Sequence, residues 1–336
     1  MDKIDSKILS VESLKIGYAG GGQQKILLPP LTASAIKGEL VAIVGRNGIG
    51  KSTLLRTIIG LQPSCGGKVM IGGKDISEYS RLEMARETGY ISTELVMVRN
   101  MRVADLVALG RFPHTNWTGK ITADDREAIN RAVEKVGMSG LRNRFISELS
   151  DGERQRVMIA RVLAQDTKIV IMDEPTAFLD ISSRFEIELL MQELAENGKT
   201  ILFSTHDLNI ALNRSHKVWL ILETGLLEGA PEDLMLSGSF DQLFTGKLAT
   251  FNFENGSYLF TQENKGKIYI EGYGNLRYWT EKAVKRAGYS VSETKTPVYV
   301  QIASETQKKW LLISGGVSAE INSIYDLVNL LERRSE

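Results

Sequence analysis

A single cysteine, Cys65, occurs in 336 residues, so no internal disulfide can form. No apolar run approaches the roughly 18 consecutive residues of a membrane-spanning helix. The most apolar stretches, Ile169 to Met172 and Val218 to Leu222, both end at acidic residues. A role at a membrane must therefore run through a partner. The opening residues, MDKIDSKILS, lack the apolar segment that a secretory signal carries. Excess charge is missing as well. Lys and Arg together number 41, and so do Asp and Glu, which leaves no global field to hold the chain to nucleic acid or to an anionic bilayer. These absences point to a cytoplasmic protein. What is present is ordinary globular composition, 43% apolar and 24% charged, with length enough for a large core and an appendage.

Patterning divides the chain. Ile8 to Tyr18 alternates apolar and polar residues as a strand does, and a second strand is expected near Ile26 to Ile36 beyond the turn at Gly20-Gly21-Gly22. Glu39 to Val44 reads as a short apolar strand entering a glycine-rich loop, then a helix from Lys51 to about Ile59. From Met101 to Gly137 the apolar spacing is helical. Beyond it, strands at Lys168 to Asp173, Lys199 to Ser204 and Lys217 to Leu222 alternate with helices at Asp151 to Leu163, Arg184 to Glu196 and Asp207 to Asn213. Such alternation predicts an α/β fold with a mostly parallel sheet. Residues 1–236 are expected to form the main domain and residues 237–336 a small C-terminal accessory unit. In that unit Lys267 to Tyr273, Pro297 to Ile302 and Lys309 to Ser314 read as strands, and Leu276 to Ala287 and Ala319 to Arg334 as helices.

The sharpest chemical signal is Gly45-Arg46-Asn47-Gly48-Ile49-Gly50-Lys51-Ser52-Thr53, which fits G-x-x-x-x-G-K-S/T between a predicted strand and a predicted helix. Glycines let backbone N–H groups turn inward on phosphate oxygens, and the new helix adds its positive end. Lys51 then suits the β and γ phosphates, and the Ser52 hydroxyl suits Mg²⁺. Ile169-Val170-Ile171-Met172-Asp173-Glu174 is a buried-strand pattern that ends in two carboxylates at the sheet edge where α/β proteins hold ligands. Asp173 suits a Mg²⁺ holder and Glu174 a general base for the attacking water. In Leu149-Ser150-Asp151-Gly152-Glu153-Arg154-Gln155-Arg156-Val157, Ser and Gly at a helix start make a second anion surface. Taken alone, the same Ser-Asp-Gly-Glu is a fair helix cap.

This last segment resembles the ABC signature, LSGGQ-x-R-V, with Asp151 and Glu153 in place of Gly and Gln. The resemblance to the ABC family covers residues 1 to about 236. It implies a P-loop NTPase core with an antiparallel β subdomain, a helical subdomain over about residues 94–165, and a small α+β appendage. It also implies a homodimer closing head to tail on ATP and Mg²⁺, with Ser150 and Gly152 of one copy facing the γ-phosphate held by the other. Tyr18 resembles the aromatic on which adenine stacks. Asp180, in Pro175-Thr176-Ala177-Phe178-Leu179-Asp180, resembles the residue that reaches across the dimer, with Phe178 where a small residue is usual. His206, in Ser204-Thr205-His206-Asp207, matches the histidine that contacts γ-phosphate and the base Glu174. The family's usual Gln after Tyr90-Ile91-Ser92 is missing, and Thr93-Glu94 stands there. Glu94 keeps the capacity to bind Mg²⁺ or water.

Met101 to Thr115 resembles the TVRELVALGRYPH-like stretch of the iron-siderophore, haem and cobalamin importer ATPases. The resemblance implies an ATPase peripheral on the inner face of the cell membrane. It would drive an integral membrane permease, with a substrate-binding protein acting through that permease and no nucleic acid among the partners. A nucleotide-sensing regulatory protein, or a non-transport soluble ABC ATPase with weak turnover, is the rival reading, prompted by Thr93-Glu94. From Lys247 onward, 12 Lys/Arg balance 10 Asp/Glu, with no phosphate loop. A regulatory or dimerising module and a passive extension fit that tail equally.

Overall fold

The computed structural model of the protein describes residues 7–20, 23–93, 100–115, 119–244, 249–252, 257–260, 264–304 and 308–333. They belong to two compact units, Met1–Leu243 and Phe244–Glu336.

The first unit opens with β1 (Lys7–Lys15), a hairpin of β2 (Gly17–Gly20) and β3 (Gln23–Ile26), and β4 (Leu31–Ile36). Next come β5 (Leu40–Gly45), α1 (Lys51–Ile58), β6 (Gly66–Ile71) and β7 (Lys74–Asp75). Four of these make an antiparallel sheet in the order β4-β1-β6-β7. The expected opening strand therefore breaks after Lys15, because β1 stays in the sheet while Gly17 turns Tyr18 into a separate hairpin. Gly17 is obligatory there, since a Cβ would lie 2.2 Å from the Lys25 carbonyl oxygen.

The chain continues through α2 (Arg81–Glu87), β8 (Thr88–Ile91), α3 (Val103–Ala108), a 3₁₀ segment at Leu109–His114, α4 (Ala123–Lys135) and α5 (Asp151–Ala164). It then alternates as β9 (Ile169–Met172), α6 (Ile181–Glu196), β10 (Thr200–Thr205), α7 (Leu208–Arg214), β11 (Lys217–Leu222), β12 (Gly225–Gly229) and α8 (Pro231–Leu236). Six strands form the main sheet, β12-β11-β5-β10-β9-β8. All its pairs are parallel except β11 with β12. Strands β5, β9 and β10 are buried at every residue, which is why they read as unbroken apolar runs rather than alternations. One core joins the two sheets around α1, with Leu14, Ile43, Leu54, Ile58 and Trp219 fully buried. Helix α6 begins three residues before its expected start because Asp180 caps it, accepting from the Ser183 backbone N–H at 3.0 Å.

The helical block packs α3 and α4 on α5, burying Val103, Leu106, Ile129 and Val133. A buried ion pair pins it. Arg111 Nε donates to Asp125 Oδ1 at 2.8 Å, and its Nη1 donates to the Ala164 carbonyl at 2.8 Å. Gly110 permits the approach, since a Cβ there would sit 2.0 Å from the Arg161 carbonyl oxygen.

In the second unit a hairpin, β13 (Ala249–Asn252) with β14 (Ser257–Phe260), precedes β15 (Lys267–Glu271), α9 (Gly274–Arg286) and β16 (Ser290–Ser292). Strands β17 (Val298–Ser304), β18 (Lys309–Ser314) and β19 (Val317–Ile321) and helix α10 (Ile324–Glu332) complete it. The sheet order is β16-β15-β17-β18-β19. Its core gathers Ile270, Val284, Val300, Trp310, Leu312, Leu327 and Leu331. The closing helix expected from Ala319 starts instead at Ile324, because residues 319–321 belong to β19. Gly315 and Gly316, both at positive φ (57° and 83°), form a two-residue hairpin loop that pairs Ser314 with Val317. Such a turn favours a paired strand over a helix start. Among the described residues, no helix is long and apolar enough to cross a membrane.

Candidate active site

The phosphate loop follows from the register of the parallel sheet. Thr205 of β10 pairs with Val44, and Ile221 of β11 pairs with Gly45, so the chain leaves β5 between two covered strands. A Cβ at Gly45 would meet the Ile221 carbonyl oxygen at 2.9 Å. Gly48 and Gly50 take φ of 78° and 114°, a left-handed backbone that lets the loop double back before α1. Gly50 offers no side chain to cap α1, and the first turn holds no acidic residue. The first N–H groups of α1 are thus left for an anion.

Lys51 lies buried beneath this loop, its Nζ donating to the carbonyls of Gly45 at 2.9 Å and Arg46 at 3.4 Å. Burial pushes its pKa below the usual lysine range, while the charges of Glu174 and Asp173 pull it back up. A triphosphate would relieve that desolvation with charge of opposite sign. The Tyr18 hydroxyl lies 3.3 Å from Thr53 Oγ1, and the residue is 55% exposed at the side of the loop. Tyr18 is therefore adjacent to the loop and open.

Asp173 and Glu174 emerge from β9 beside it. Phe203 pairs with Met172, which places Ser204 next to Asp173. The Ser204 hydroxyl donates to Asp173 Oδ1 at 2.6 Å and accepts the Glu174 backbone N–H at 2.9 Å. Asp173 is buried, and its own N–H donates to the Ile91 carbonyl at 2.8 Å. Glu174 adopts φ of 48°, a conformation uncommon outside glycine. Its Oε2 faces His206 Nδ1 at 3.6 Å. Lys51, Asp173, Glu174 and His206 therefore gather at the carboxyl ends of β5, β9 and β10, where open α/β sheets hold ligands.

A second group forms at the starts of α5 and α6. Ser150 caps α5 in a reciprocal box. Its Oγ accepts the Glu153 N–H at 3.2 Å, and Glu153 Oε2 accepts the Ser150 N–H at 2.9 Å. The helix-cap reading of Ser-Asp-Gly-Glu is thus realised within the single chain. Gly152 is buried against α6, and a Cβ would fall 2.4 Å from Ser183 Oγ. Asp180 accepts from both the N–H and the hydroxyl of Ser183, and these hydrogen bonds hold its pKa below the usual carboxylate value. The carboxylates of Glu153 and Asp180 are therefore committed to local caps.

Glu94 lies outside the described residues. Thr93 is described, and its hydroxyl donates to the Asp173 carbonyl at 2.9 Å. Sequence reasoning assigned no role to Ser204. Its signal is a hydroxyl directly after the apolar run Ile201-Leu202-Phe203 of a fully buried strand, visible as chemistry only once the β9–β10 register is known.

A phosphate loop set against a strand-borne Asp-Glu pair defines a nucleotide-binding α/β ATPase. The ABC transporter family model matches residues 28–177, and the iron ABC transporter C-terminal domain model matches residues 265–332. The chain is 37% identical over 238 residues to the iron(3+)-hydroxamate import ATP-binding protein of Bacillus subtilis, covering 70% of this chain and 87% of that one. It is 35% identical over 235 residues to the ferric enterobactin transport ATP-binding protein of Escherichia coli, covering 69% and 85%. A solved metal-chelate type ABC transporter in an inward-facing conformation aligns with a TM-score of 0.63 and 27% identity, over 76% of this chain and 96% of that chain. The chain belongs to the ABC transporter ATP-binding proteins, the ATP-hydrolysing cassettes of that family.

Proposed function

We propose that this cassette drives import of a metal chelate, an iron-siderophore, haem or cobalamin, through a separate integral membrane permease. Two copies would close head to tail on ATP and Mg²⁺. The observation that carries the reading is the Glu174–His206 pair at 3.6 Å, set at the same sheet edge as buried Lys51. In this reading the loop amides and Lys51 bind the β and γ phosphates, and Tyr18 stacks the base. Ser52 and Asp173 would hold Mg²⁺, which would supply positive charge beside the phosphates. Glu174 accepts a proton from the attacking water, and His206 steadies that carboxylate and the γ-phosphate. Ser150 and Gly152 of the second copy would seal the site, with Asp180 at the seam.

Support for a membrane partner comes from a groove of about 670 Å³ between α2 and the 3₁₀ segment, lined in part by Leu61, Met84, Leu109, Phe112 and Arg161. Leu61 and Phe112 are largely exposed at its rim. An apolar rim on a soluble domain is suited to an apolar partner element. The permease's coupling segment is the partner we assign to it, which would place the cassette at the inner membrane face. The iron and siderophore relatives support the cargo class.

Turnover of the purified chain tests the chemistry. Glu174→Gln should retain nucleotide and lose about 100-fold or more in rate. An unchanged rate would remove Glu174 from the mechanism. Co-purified permease and its bound chelate, identified by metal analysis and mass spectrometry, test the cargo; a ligand without metal would overturn that assignment.

A further inference from the structure

The Asp173–Glu174 dipeptide is gripped from both sides by hydroxyl groups, one from strand β10 and one from the turn that follows β8. From β10, Ser204 donates to the Asp173 carboxylate at 2.6 Å and accepts the Glu174 amide at 2.9 Å. Two residues past β8, Thr93 donates to the Asp173 carbonyl at 2.9 Å, and the carbonyl of Ile91, the last residue of β8, accepts the Asp173 amide at 2.8 Å. Ser204 is fully buried. One oxygen thus satisfies a carboxylate and an amide with no water between them.

This arrangement matters because Glu174 sits at φ of 48°. A non-glycine residue keeps such a conformation only where its surroundings over-determine it. The Glu174 amide is the hinge of that conformation, and Ser204 Oγ is its acceptor. Rotation about the Glu174 N–Cα bond back to an ordinary φ would swing the side chain away from His206, and the Ser204 bond holds the peptide plane from which that rotation is measured. Thr93 fixes the other end of the same short segment, at the carbonyl that joins Asp173 to Glu174.

We propose that Ser204 and Thr93 are positioning residues, a two-sided hydroxyl clamp that holds the Glu174 carboxylate against His206 and the Asp173 carboxylate toward the phosphate loop. The proposal rests on the ATPase reading of the site. It also gives Thr93 a role of its own. Instead of reaching toward nucleotide, as a longer amide in its place would, its hydroxyl turns back onto the peptide that carries the base. A glutamine at 93 is too long to reproduce the 2.9 Å bond to the Asp173 carbonyl without moving the backbone.

The test is steady-state kinetics on the full chain, with nucleotide affinity measured beside it. Ser204→Ala and Thr93→Val should each lower kcat by about tenfold or more, since small misplacements of a reacting group cost rate rather than binding. KM and nucleotide affinity should stay within about twofold, because the loop and Lys51 are untouched. Thr93→Ser, and Ser204→Thr or Ser204→Cys, should recover turnover, and Thr93→Gln should not. A merely structural role would lower affinity and folded yield together and would not distinguish hydroxyl from methyl. The clamp is overturned if Ser204→Ala and Thr93→Val keep the wild-type kcat in a protein whose Glu174→Gln variant is inactive. It is overturned too if no hydroxyl- or thiol-bearing variant recovers turnover, or if Thr93→Gln exceeds wild type. Equal rates for wild type and Glu174→Gln would instead sink the ATPase reading itself.

Discussion

Glu174 Oε2 and His206 Nδ1 stand 3.6 Å apart at the ends of adjacent parallel strands, with the His206 side chain 61% exposed and that of Glu174 26%. That spacing is slightly beyond a hydrogen bond and suits a contact that tightens when a third group enters. If the two act as one unit on water and phosphate, their losses will not add. His206→Ala should reduce turnover by about 100-fold, and the double variant with Glu174→Gln should be little worse than Glu174→Gln alone. Rates that multiply across the double variant would show that the residues act independently.

Ser150 allows a cap to be separated from a nucleotide contact. It closes α5 with the same reciprocal box by which Ser80 closes α2 with Glu83. Ser150→Ala and Ser80→Ala should therefore each cost about 1 kcal/mol of stability, read from urea midpoints. Only Ser150→Ala should also lower ATP turnover of the isolated subunit, by well over what the shared stability loss produces. Equal activity in the two variants would leave Ser150 a cap and nothing more.

How far the sequence foretold this site depends on range along the chain. The phosphate loop and the carboxylate pair were legible because each is a local pattern, a strand followed by fixed residues, whose backbone geometry follows from glycine placement and burial. Ser204 was not. Its neighbour Asp173 is 31 residues away, and only the parallel register, Phe203 beside Met172, brings them together. The same limit applies to Gly152, whose partner Ser183 comes from the next helix. In the second unit the turn at Gly315-Gly316 was local, yet the apolar spacing after it also fitted a helix. Pairing of β19 with β18 decided the matter, with Trp310 opposite Ile321.

Gly152 is held to glycine by packing as well as by any phosphate. A Cβ would lie 2.7 Å from Ser183 Cβ and 2.4 Å from its Oγ, so Gly152→Ala must push α5 from α6 or displace Ser183. A loss of about 1–3 kcal/mol follows from such overpacking. Adding Ser183→Gly removes both obstructing atoms and should return part of the stability, even though Asp180 then loses a hydroxyl partner. If turnover stays low in the stabilised double variant, backbone access at Gly152 matters to the chemistry as well. No stability change on Gly152→Ala would mean that the helices separate without cost.

The ion pair inside the helical block gives the chain a pH signature away from the catalytic residues. Asp125 accepts hydrogen bonds from the Thr122 backbone and hydroxyl and from Arg111, and these hold its pKa at about 2, below the ordinary 3.8. A carboxyl whose pKa is depressed by folding stabilises the fold above its unfolded value, and that contribution is lost as pH falls through the folded one. Asp125→Asn removes the charge while leaving Arg111 buried beside the Ala164 carbonyl. At pH 7 it should therefore cost about 2 kcal/mol. Wild type and variant should converge as pH is lowered from about 4 toward 2, where the wild-type carboxyl also becomes neutral. Urea midpoints of the ATPase unit, measured for both proteins across that window, check the sign. A gap that stays constant to pH 2 would assign the loss to shape and not to charge.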